Sequence, residues 1–237
     1  MVTSLLSKFE DIHDARQELK AKNLSFIDPR WKRLLRRVLR DNEGGIGDFL
    51  KSWDVHLANK FIGENLSFED KILDLGCHKS ELVPVLNAVG YKNLYGIDLN
   101  ENTRFSMGPK NFTFKKGDFY EMPIENETMN CISAISVIEH GYDGDGLFRE
   151  VSRVLKSGGF FIASYDFWPN KVDVKGRQFF GLPWIIFDNN AVNRMDEYAK
   201  SHSMKKLKAT KSFNLTEPVI KFDGFEYTFA MSIYQKH

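Results

Sequence analysis

Short apolar runs alternate with helical patterns between residues 71 and 166, and this alternation limits the possible folds more than any other feature of the chain. Five of the runs have the length and apolar content of buried strands: residues 71–76, 93–98, 112–118, 130–136 and 159–166. Helices are expected between them, the clearest over residues 81–89 and over a segment that ends at the glycine pair Gly158-Gly159. Such alternation is typical of a parallel sheet covered on both faces. The sequence therefore predicts a doubly wound, Rossmann-like α/β domain.

The first 66 residues are predicted to form a helical cap that precedes the sheet. Three apolar faces have helical spacing there, carried by Leu5, Phe9, Ile12 and Leu19, by Trp31, Leu34, Leu35, Val38 and Leu39, and by Ile46, Phe49, Leu50, Trp53, Leu57 and Phe61. The second helix also carries six basic residues: Arg30, Lys32, Arg33, Arg36, Arg37 and Arg40. Such a run is usually a solvated face, and no aromatic platforms interleave it, so nucleic acid is not an expected partner.

Beyond residue 166 the regular alternation ends. Residues 167–188 are rich in aromatic side chains, and we expect them to form a substrate lid or acceptor-pocket wall whose cations would meet a polar or anionic acceptor: Lys171, Lys175 and Arg177. A helix is predicted next, capped by Asp188 or Asn189. Two strand-like runs, 205–213 and 226–235, are predicted to pair antiparallel at the sheet edge. The chain is therefore interpreted as one domain over residues 1–237, with a cofactor-binding core at 70–166 and a C-terminal helix and strand pair at 189–237.

Composition narrows the functional classes. The 237 residues carry a formal net charge of +1, so the overall charge favours neither nucleic acid nor an anionic membrane as partner. No apolar stretch approaches the length of a membrane span, and the N-terminus lacks the apolar stretch of a signal peptide. Cys77 and Cys131 fall in or beside predicted strands, which favours buried thiols over a disulfide. We expect a cytoplasmic protein, and the sequence leaves its oligomeric state open.

A glycine turn between the first predicted strand and the next helix carries the strongest functional signal. The strand ends at Gly76, and Ser80 is placed to cap the helix that follows. A turn of this kind points backbone N–H groups and a helix N-terminus into the crevice beyond the sheet edge. Asp98 ends the second strand about 20 residues later, where an acid accepts hydrogen bonds from ribose hydroxyls. The pair predicts a nucleoside site, although Asp98 could instead cap a turn before Asn100.

Three further motifs occur in order after these two: Gly117-Asp118-Phe119, Ser136-Val137-Ile138-Glu139-His140, and the run from Arg149 to Gly159 that leads into the fifth strand. Together with Asp74-Leu75-Gly76-Cys77, the ordered set resembles the motifs of class I S-adenosylmethionine-dependent methyltransferases, particularly the type 11 group. The resemblance covers about residues 70–166. It implies a seven-stranded, mostly parallel sheet with an antiparallel last strand beside the fifth, S-adenosylmethionine as cofactor and S-adenosylhomocysteine as product.

The resemblance also implies a role for each matching residue. Asp74 and Gly76 would line the amino-acid end of the cofactor, with His78 as a wall of the same pocket, and Asp98 with Leu99 would meet the ribose. Asp118 and the backbone at Phe119 would meet the adenine, and Ser136 would lie near the methyl group. Asp74 and Asp118 could instead only shape their turns. The sequence departs from the family pattern at His78-Lys79-Ser80, which stands where a second glycine is usual.

His140 is the candidate for proton handling. It follows the fourth strand on the crevice side, and an imidazole that titrates near neutrality is suited to taking a proton from a hydroxyl acceptor. It could alternatively pack on the cofactor or position the loop. Asp143 and Asp145 lie close by in the sequence, but the intervening glycines favour a solvated loop that caps the next helix, so no metal site is predicted.

The implied reaction is methyl transfer to an oxygen or nitrogen of a small-molecule acceptor, with a sugar or sugar-linked metabolite favoured by the aromatic segment. Two other functions remain open. A nicotinamide-dependent oxidoreductase would also use a glycine turn and an acid, but His78 and Ser80 interrupt its fuller glycine pattern. A non-catalytic binding scaffold with the same fold would explain the altered turn.

Overall fold

The computed structural model describes residues 3–28, 45–102, 110–208, 215 and 217–237. The second predicted cap helix, with its six basic residues, lies outside this part of the chain. Most of the predicted strand at 205–213 does as well. The remaining predicted elements are all described.

Five parallel strands form the centre of the sheet: β2 (Lys71–Leu75), β3 (Asn93–Asp98), β4 (Phe112–Lys116), β5 (Met129–Ile135) and β6 (Leu155–Phe167). The bounds of the first four lie within two residues of the predicted runs, whereas β6 begins four residues earlier than predicted. They lie in the order β4-β3-β2-β5-β6. The last strand, β11 (Phe225–Lys236), pairs antiparallel with β6 from Thr228 to Gln235. The strand order reverses between β2 and β5, and ligands bind at this point in sheets of this class.

Three short strands complete the sheet along the outer edge of β11: β1 (Ser4–Leu5), β9 (Met204–Lys206) and β10 (Ile220–Phe222). The described sheet therefore has nine strands, the seven expected and two more, β1 and β10. β11 is 12 residues long, and its outer edge would otherwise present a row of unpaired backbone groups. β1 covers part of that edge. Leu5 belongs to β1 and therefore lies in a strand and not in the predicted first helix.

In the described part of the chain, five helices cover the two faces of the sheet: α1 (Phe9–Ala21), α2 (Ser52–Asn65), α3 (Leu82–Val89), α4 (Gly144–Val154) and α5 (Asn189–Ser201). The first three share one buried apolar cluster and the last two share the other, which confirms the doubly wound class. As predicted, Asp188 caps α5, accepting a hydrogen bond from the Ala191 N–H at 2.7 Å. Among the described residues, no helix has the length and apolar character needed to cross a membrane.

The predicted role of Gly158-Gly159 was wrong. Helix α4 ends at Val154, because Leu155 already has an extended backbone and starts β6. The glycine pair lies where the β5–β6 ladder shifts register, and Gly158 has a φ of +78°. A Cβ on Gly159 would come within 3.0 Å of the Asn130 carbonyl oxygen. The pair is therefore needed for a bulge in the strand and not for a helix cap.

Candidate functional site

A cavity of about 690 Å³ opens at the carboxyl ends of the central strands. This volume is typical of small-molecule sites. Seven of the nine predicted site residues line it: Gly76, His78, Asp98, Leu99, Phe119, Ser136 and His140. The other two, Asp74 and Asp118, do not line the cavity. Residues far apart in sequence thus meet at one place because parallel strands end at the same edge of the sheet.

Gly76 forms the floor of the turn after β2. Its φ is +63°, and a Cβ built there would lie 2.5 Å from Cγ2 of Val137. The N–H groups of Gly76 and Cys77 both donate to the Ile97 carbonyl, at 2.9 and 3.3 Å, which fixes the turn against β3. A side chain is excluded on both conformational and steric grounds. The glycine therefore lets the Val137 side chain pack directly against the turn, and both residues line the cavity.

The departure at His78-Lys79-Ser80 keeps a glycine-like backbone. Lys79 has a φ of +60°, a left-handed conformation that glycine adopts more readily. Its carbonyl accepts a hydrogen bond from the Gly47 N–H at 2.8 Å, which ties the cap to the turn. The Ser80 hydroxyl accepts from the Leu82 N–H at 3.3 Å, near the start of α3. The turn is preserved, and the side chains of His78 and Lys79 become walls of the cavity.

Asp98 is held at the cavity by two backbone groups. One carboxylate oxygen accepts from the His78 N–H and the other from the Asn100 N–H, both at 2.8 Å. Asp98 thus caps the turn before Asn100 and also lines the cavity, so the two alternatives left open by the sequence hold together. Each oxygen keeps further acceptor capacity, so the carboxylate can accept hydrogen bonds from two ligand hydroxyls.

Asp74 and Asp118 lie outside the cavity for different reasons. Asp74 is buried, and its carboxylate accepts from the Ser133 hydroxyl at 2.6 Å. Burial raises the pKa of this carboxyl to about 6. Asp118 accepts from the Tyr120 N–H at 2.9 Å. Asp118 thus bonds within its own turn, whereas Asp74 bonds to the neighbouring strand β5.

His140 follows β5 with its ring inside the pocket region. Its Nδ1 is buried and has no hydrogen-bond partner among the residues that the structure describes. Burial and the positive charge of Lys51 lower the pKa of the imidazole to about 4. Since this value is far below neutral pH, the ring is uncharged there and one ring nitrogen can accept a hydrogen bond.

Lys51, which the sequence did not single out, lies at the same end of the cavity as Ser136. It comes from the short 3-10 turn Phe49–Lys51 ahead of α2, and its Nζ donates to the Ser136 hydroxyl at 2.6 Å. The same Nζ lies 3.6 Å from the ring centroid of Phe229. Ser136 itself has a φ of +51°. The cap thus contributes a cation that holds the residue expected nearest the methyl group.

Three buried carboxyl groups surround Lys51, and none was predicted: Asp54, Glu139 and Asp166. The Lys51 Nζ lies 4.0 Å from Asp166, whose other oxygen accepts from Nε1 of Trp184 at 2.9 Å. Burial raises the pKa of Asp54 to about 7, and burial together with the charge on Asp166 raises that of Glu139. A single cation thus faces three acids in a region of low dielectric.

Replacing Asp54 with Asn is expected to stabilise the protein, and more so at alkaline pH. The folded-state pKa of about 7 exceeds the ordinary aspartate pKa of 3.8, so the folded state binds more protons between these values and stability falls as the pH rises through them. The gain in unfolding free energy should be larger at about pH 8 than at about pH 5.5 by about 2 kcal/mol. Urea unfolding at both pH values measures it. Equal gains at the two pH values, or a loss at both, would contradict the assignment.

A buried ion pair fastens the cap to the glycine turn. Arg16 of α1 donates to both oxygens of Glu81, at 2.7 and 2.6 Å, and Glu81 also accepts from the Phe26 N–H at 2.8 Å. The Arg16 Nε donates to the Ser52 hydroxyl at 2.9 Å, which brings in the start of α2. Glu81 lines the cavity and immediately precedes α3. The pair therefore ties three helices to the edge of the site.

Three other charged residues singled out in the sequence have structural partners: Asp143, Asp145 and Arg177. Asp143 caps α4, accepting from the Gly146 N–H at 3.2 Å, and Asp145 pairs with His202 at 2.8 Å. Arg177 pairs with Asp223 at 2.9 Å, and none of Lys171, Lys175 and Arg177 lines the cavity. Both cysteines are buried and unpaired. Within the described ranges, no group of three or more acidic, histidine or cysteine side chains has the arrangement of a metal site.

The site fits a nucleoside-bearing sulfonium cofactor. Gly76 lines the cavity at the turn after β2, and the Asp98 carboxylate lines it with acceptor capacity to spare. Phe119 and Leu99 offer apolar surface beside it. A glycine turn together with an acid at the end of the next strand is the arrangement that binds a ribose and its attached chain in sheets of this class.

Sequence comparison finds a match over residues 73–163 to a family described as a methyltransferase domain. The sterol 24-C-methyltransferase of Aspergillus fumigatus is 31% identical over 101 residues, which are 38% of this chain and 26% of that protein. The cycloartenol-C-24-methyltransferase of Arabidopsis thaliana is 32% identical over 104 residues, or 39% and 30% of the two chains. The match thus spans less than a third of the length of these relatives.

Solved structures share the fold at low sequence identity. An S-adenosylmethionine-dependent methyltransferase from Mesorhizobium loti superimposes with a TM-score of 0.56 at 16% identity, over 78% of this chain and 98% of that one. The geranyl diphosphate C-methyltransferase of Streptomyces coelicolor, solved with Mg²⁺, geranyl diphosphate and S-adenosylhomocysteine, gives 0.55 at 13% identity, over 76% and 79%. Residues 73–163 thus match the methyltransferase-domain family, and the chain shares the fold of S-adenosylmethionine-dependent methyltransferases.

Proposed function

We propose that the chain transfers a methyl group from S-adenosylmethionine to an oxygen or nitrogen of a small-molecule acceptor and releases S-adenosylhomocysteine. One observation carries the proposal: the glycine turn, the Asp98 carboxylate, Ser136 and His140 all line one cavity. When bound, the sulfonium supplies the methyl group as an electrophile. The protein's own task is then to hold the acceptor atom in line with that methyl at near-attack distance.

The cofactor half of the cavity is assigned as follows. Asp98 accepts hydrogen bonds from the ribose, and Leu99 and Phe119 pack against the nucleoside. The backbone at Gly76 and the side chain of His78 enclose the amino-acid end. Asp74 and Asp118 act from outside the cavity by holding the two turns in shape, which is supported by their bonds to Ser133 and Tyr120.

Ser136 and His140 belong to the acceptor half. An uncharged imidazole accepts a hydrogen bond from an acceptor hydroxyl or amine, which orients the lone pair that attacks the methyl group. The proton that the acceptor loses then passes to solvent. Lys51 positions Ser136 through its hydrogen bond of 2.6 Å. The lowered pKa of His140 favours this neutral role across the physiological pH range.

The acceptor is a small molecule in this proposal, in keeping with a cavity of about 690 Å³. The relatives are named for methyl transfer to sterols and to geranyl diphosphate. A sugar or sugar-linked metabolite is the acceptor that the aromatic segment 167–188 favours in the sequence. The two unpaired, buried thiols support a reducing, cytoplasmic setting.

Transfer of a labelled methyl group tests this function. The full chain is incubated with S-adenosylmethionine labelled on its methyl group and with fractions of a small-molecule extract. We expect label to appear in an extractable product, together with S-adenosylhomocysteine. Binding of S-adenosylhomocysteine without transfer to any fraction would favour the scaffold function. Binding of a nicotinamide dinucleotide in its place would favour the oxidoreductase.

A further inference from the structure

A short hairpin stands over the acceptor half of the cavity. Its strands are β7 (Gln178–Phe179) and β8 (Leu182–Pro183), joined by the two-residue turn Phe180-Gly181. Both turn residues have a left-handed backbone, with φ of +56° and +78°. Glycine, asparagine and aspartate are the usual residues in such a turn, because a bulky side chain is strained there. A phenylalanine at this position therefore runs against the conformational preference of the turn.

The base of the hairpin is firmly attached to the loop that carries His140. The Gly141 N–H donates to the Pro183 carbonyl at 2.7 Å, and the Ile185 N–H donates to the Glu139 carbonyl at 3.0 Å. Trp184, which follows β8, is buried and donates from its indole to Asp166 at 2.9 Å. The hairpin is thus a fixed wall, and its tip keeps a defined position relative to His140.

Phe180 is exposed to solvent at the tip of this wall. Its exposed fraction is 91%, well above that of the other exposed large apolar residues in the described part of the chain. The ring nevertheless lines the cavity and lies 5.4 Å from the His140 ring, centroid to centroid, in a T-shaped arrangement. A large apolar side chain in water contributes little to folding. Because Phe180 also has a strained backbone and lies at the cavity, we interpret its ring as a binding surface.

The lining of the cavity that Phe180 joins holds both apolar and charged side chains, and the charged ones are Asp48, Lys51, Lys79, Glu81 and Asp98. Leu182 on the hairpin, with Val55, Ile135 and Val137, provides the apolar lining near His140. The hairpin cation Arg177 pairs with Asp223 and lies off the cavity, so it offers no recognition of an anionic acceptor there. Polar groups are instead concentrated deeper, at Ser136 and His140. The acceptor half therefore has a polar inner end and an apolar mouth.

We infer that the methyl acceptor has an apolar body, an aromatic ring or an isoprenoid-like chain, which packs on Phe180 and Leu182 while its hydroxyl or amine reaches Ser136 and His140. Phe180 is the residue that selects for this body. The inference rests on the proposed function and makes it more specific: a sugar-linked acceptor fits only if the linked part is apolar, and a free saccharide does not fit. Burial of the exposed ring by the acceptor is favourable because it removes apolar surface from water.

Phe180→Asn is the variant that separates binding from folding. Asparagine adopts the left-handed conformation readily, so the hairpin should be kept or stabilised while the ring is lost. Phe68→Asn is the matched control. Phe68 is 53% exposed and precedes β2, at the opposite end of the strands from the cavity.

Calorimetric titration into protein saturated with S-adenosylhomocysteine provides the test, with 1-naphthol and geraniol as apolar probes and methyl glucoside as the saccharide probe. We expect at least one apolar probe to bind at one site per chain and the glucoside not to bind. Phe180→Asn should lower the affinity for the apolar probe at least about tenfold. Phe68→Asn should change the affinity for the apolar probe less than about twofold. Neither variant should alter the affinity for S-adenosylhomocysteine.

Three results would overturn the inference: preferential binding of the glucoside, binding of neither apolar probe, or apolar binding that Phe180→Asn leaves unchanged. Two further measurements exclude other roles for the exposed ring. If Phe180→Asn abolishes binding to phosphatidylcholine vesicles or dissociates a dimer in sedimentation, without affecting the probes, the ring contacts a membrane or a second copy. Failure of the wild-type chain to bind S-adenosylhomocysteine would instead defeat the proposed function itself, and that titration is made first.

Discussion

Replacing Arg16 with Met is expected to lower the free energy of unfolding by about 3–5 kcal/mol. The guanidinium is buried and makes both hydrogen bonds to Glu81 across the interface between α1 and the start of α3. Methionine fills a similar space but leaves the Glu81 carboxylate buried with only the Phe26 N–H as a partner. Urea unfolding of the variant and the wild-type chain at neutral pH measures the difference.

The control for this prediction is an exposed ion pair. Arg149 of α4 lies 3.9 Å from Asp145, and both side chains are more than half exposed. Arg149→Met should therefore change stability by less than about 1 kcal/mol. The double variant Arg16→Met with Glu81→Leu should regain part of the loss, because no uncompensated charge remains buried. A cost for Arg16→Met no larger than that for Arg149→Met would show that the buried pair does not hold the cap.

Asp98→Ala is expected to weaken S-adenosylhomocysteine binding by about 100-fold or more. Two hydrogen bonds from ribose hydroxyls to a carboxylate are worth several kcal/mol together, because bonds to charged groups are the stronger kind. The substitution also frees the N–H groups of His78 and Asn100, which loosens the turn. Calorimetric titration of the variant measures the loss of affinity.

Two variants separate the causes of this effect. Asp98→Asn keeps an acceptor oxygen and much of the shape, so it should lose less affinity than alanine does. Asp145→Ala removes an exposed carboxylate that pairs with His202 away from the cavity, and it should bind normally. Near-normal affinity of Asp98→Ala, with its fold intact by circular dichroism, would remove this residue from the ribose site.

The sequence predicted the parallel core well because local patterns determine it. The bounds of β3 match the prediction, and the ends of β2 and β5 differ from it by one residue. Gly76 and Asp98 were recognisable since a glycine turn and a strand-end acid lie on one crevice in any sheet of this class. Gly158 does take the left-handed conformation that glycine favours. The same conformation suits a helix cap and a strand bulge, and the local sequence does not distinguish the two.

The charged residues of the cap were missed because their partners are remote in sequence. Arg16 meets Glu81 across 65 positions, and Lys51 meets Ser136 across 85. A signal was nevertheless present. Arg16 lies four residues after Ile12 and three before Leu19, and so it falls on the buried face of its own helix. A charged residue at an apolar position of an amphipathic helix indicates a buried partner elsewhere in the fold.

Calorimetric titration of S-adenosylhomocysteine into the wild-type chain tests the central claim most directly, with a nicotinamide dinucleotide titrated in parallel. The claim is that the cavity at the ends of β2, β3 and β5 is a cofactor site despite the His78-Lys79-Ser80 turn. It predicts saturable heat at one site per chain for S-adenosylhomocysteine and none for the dinucleotide. Absence of heat from S-adenosylhomocysteine would contradict the claim, whichever acceptor is later found.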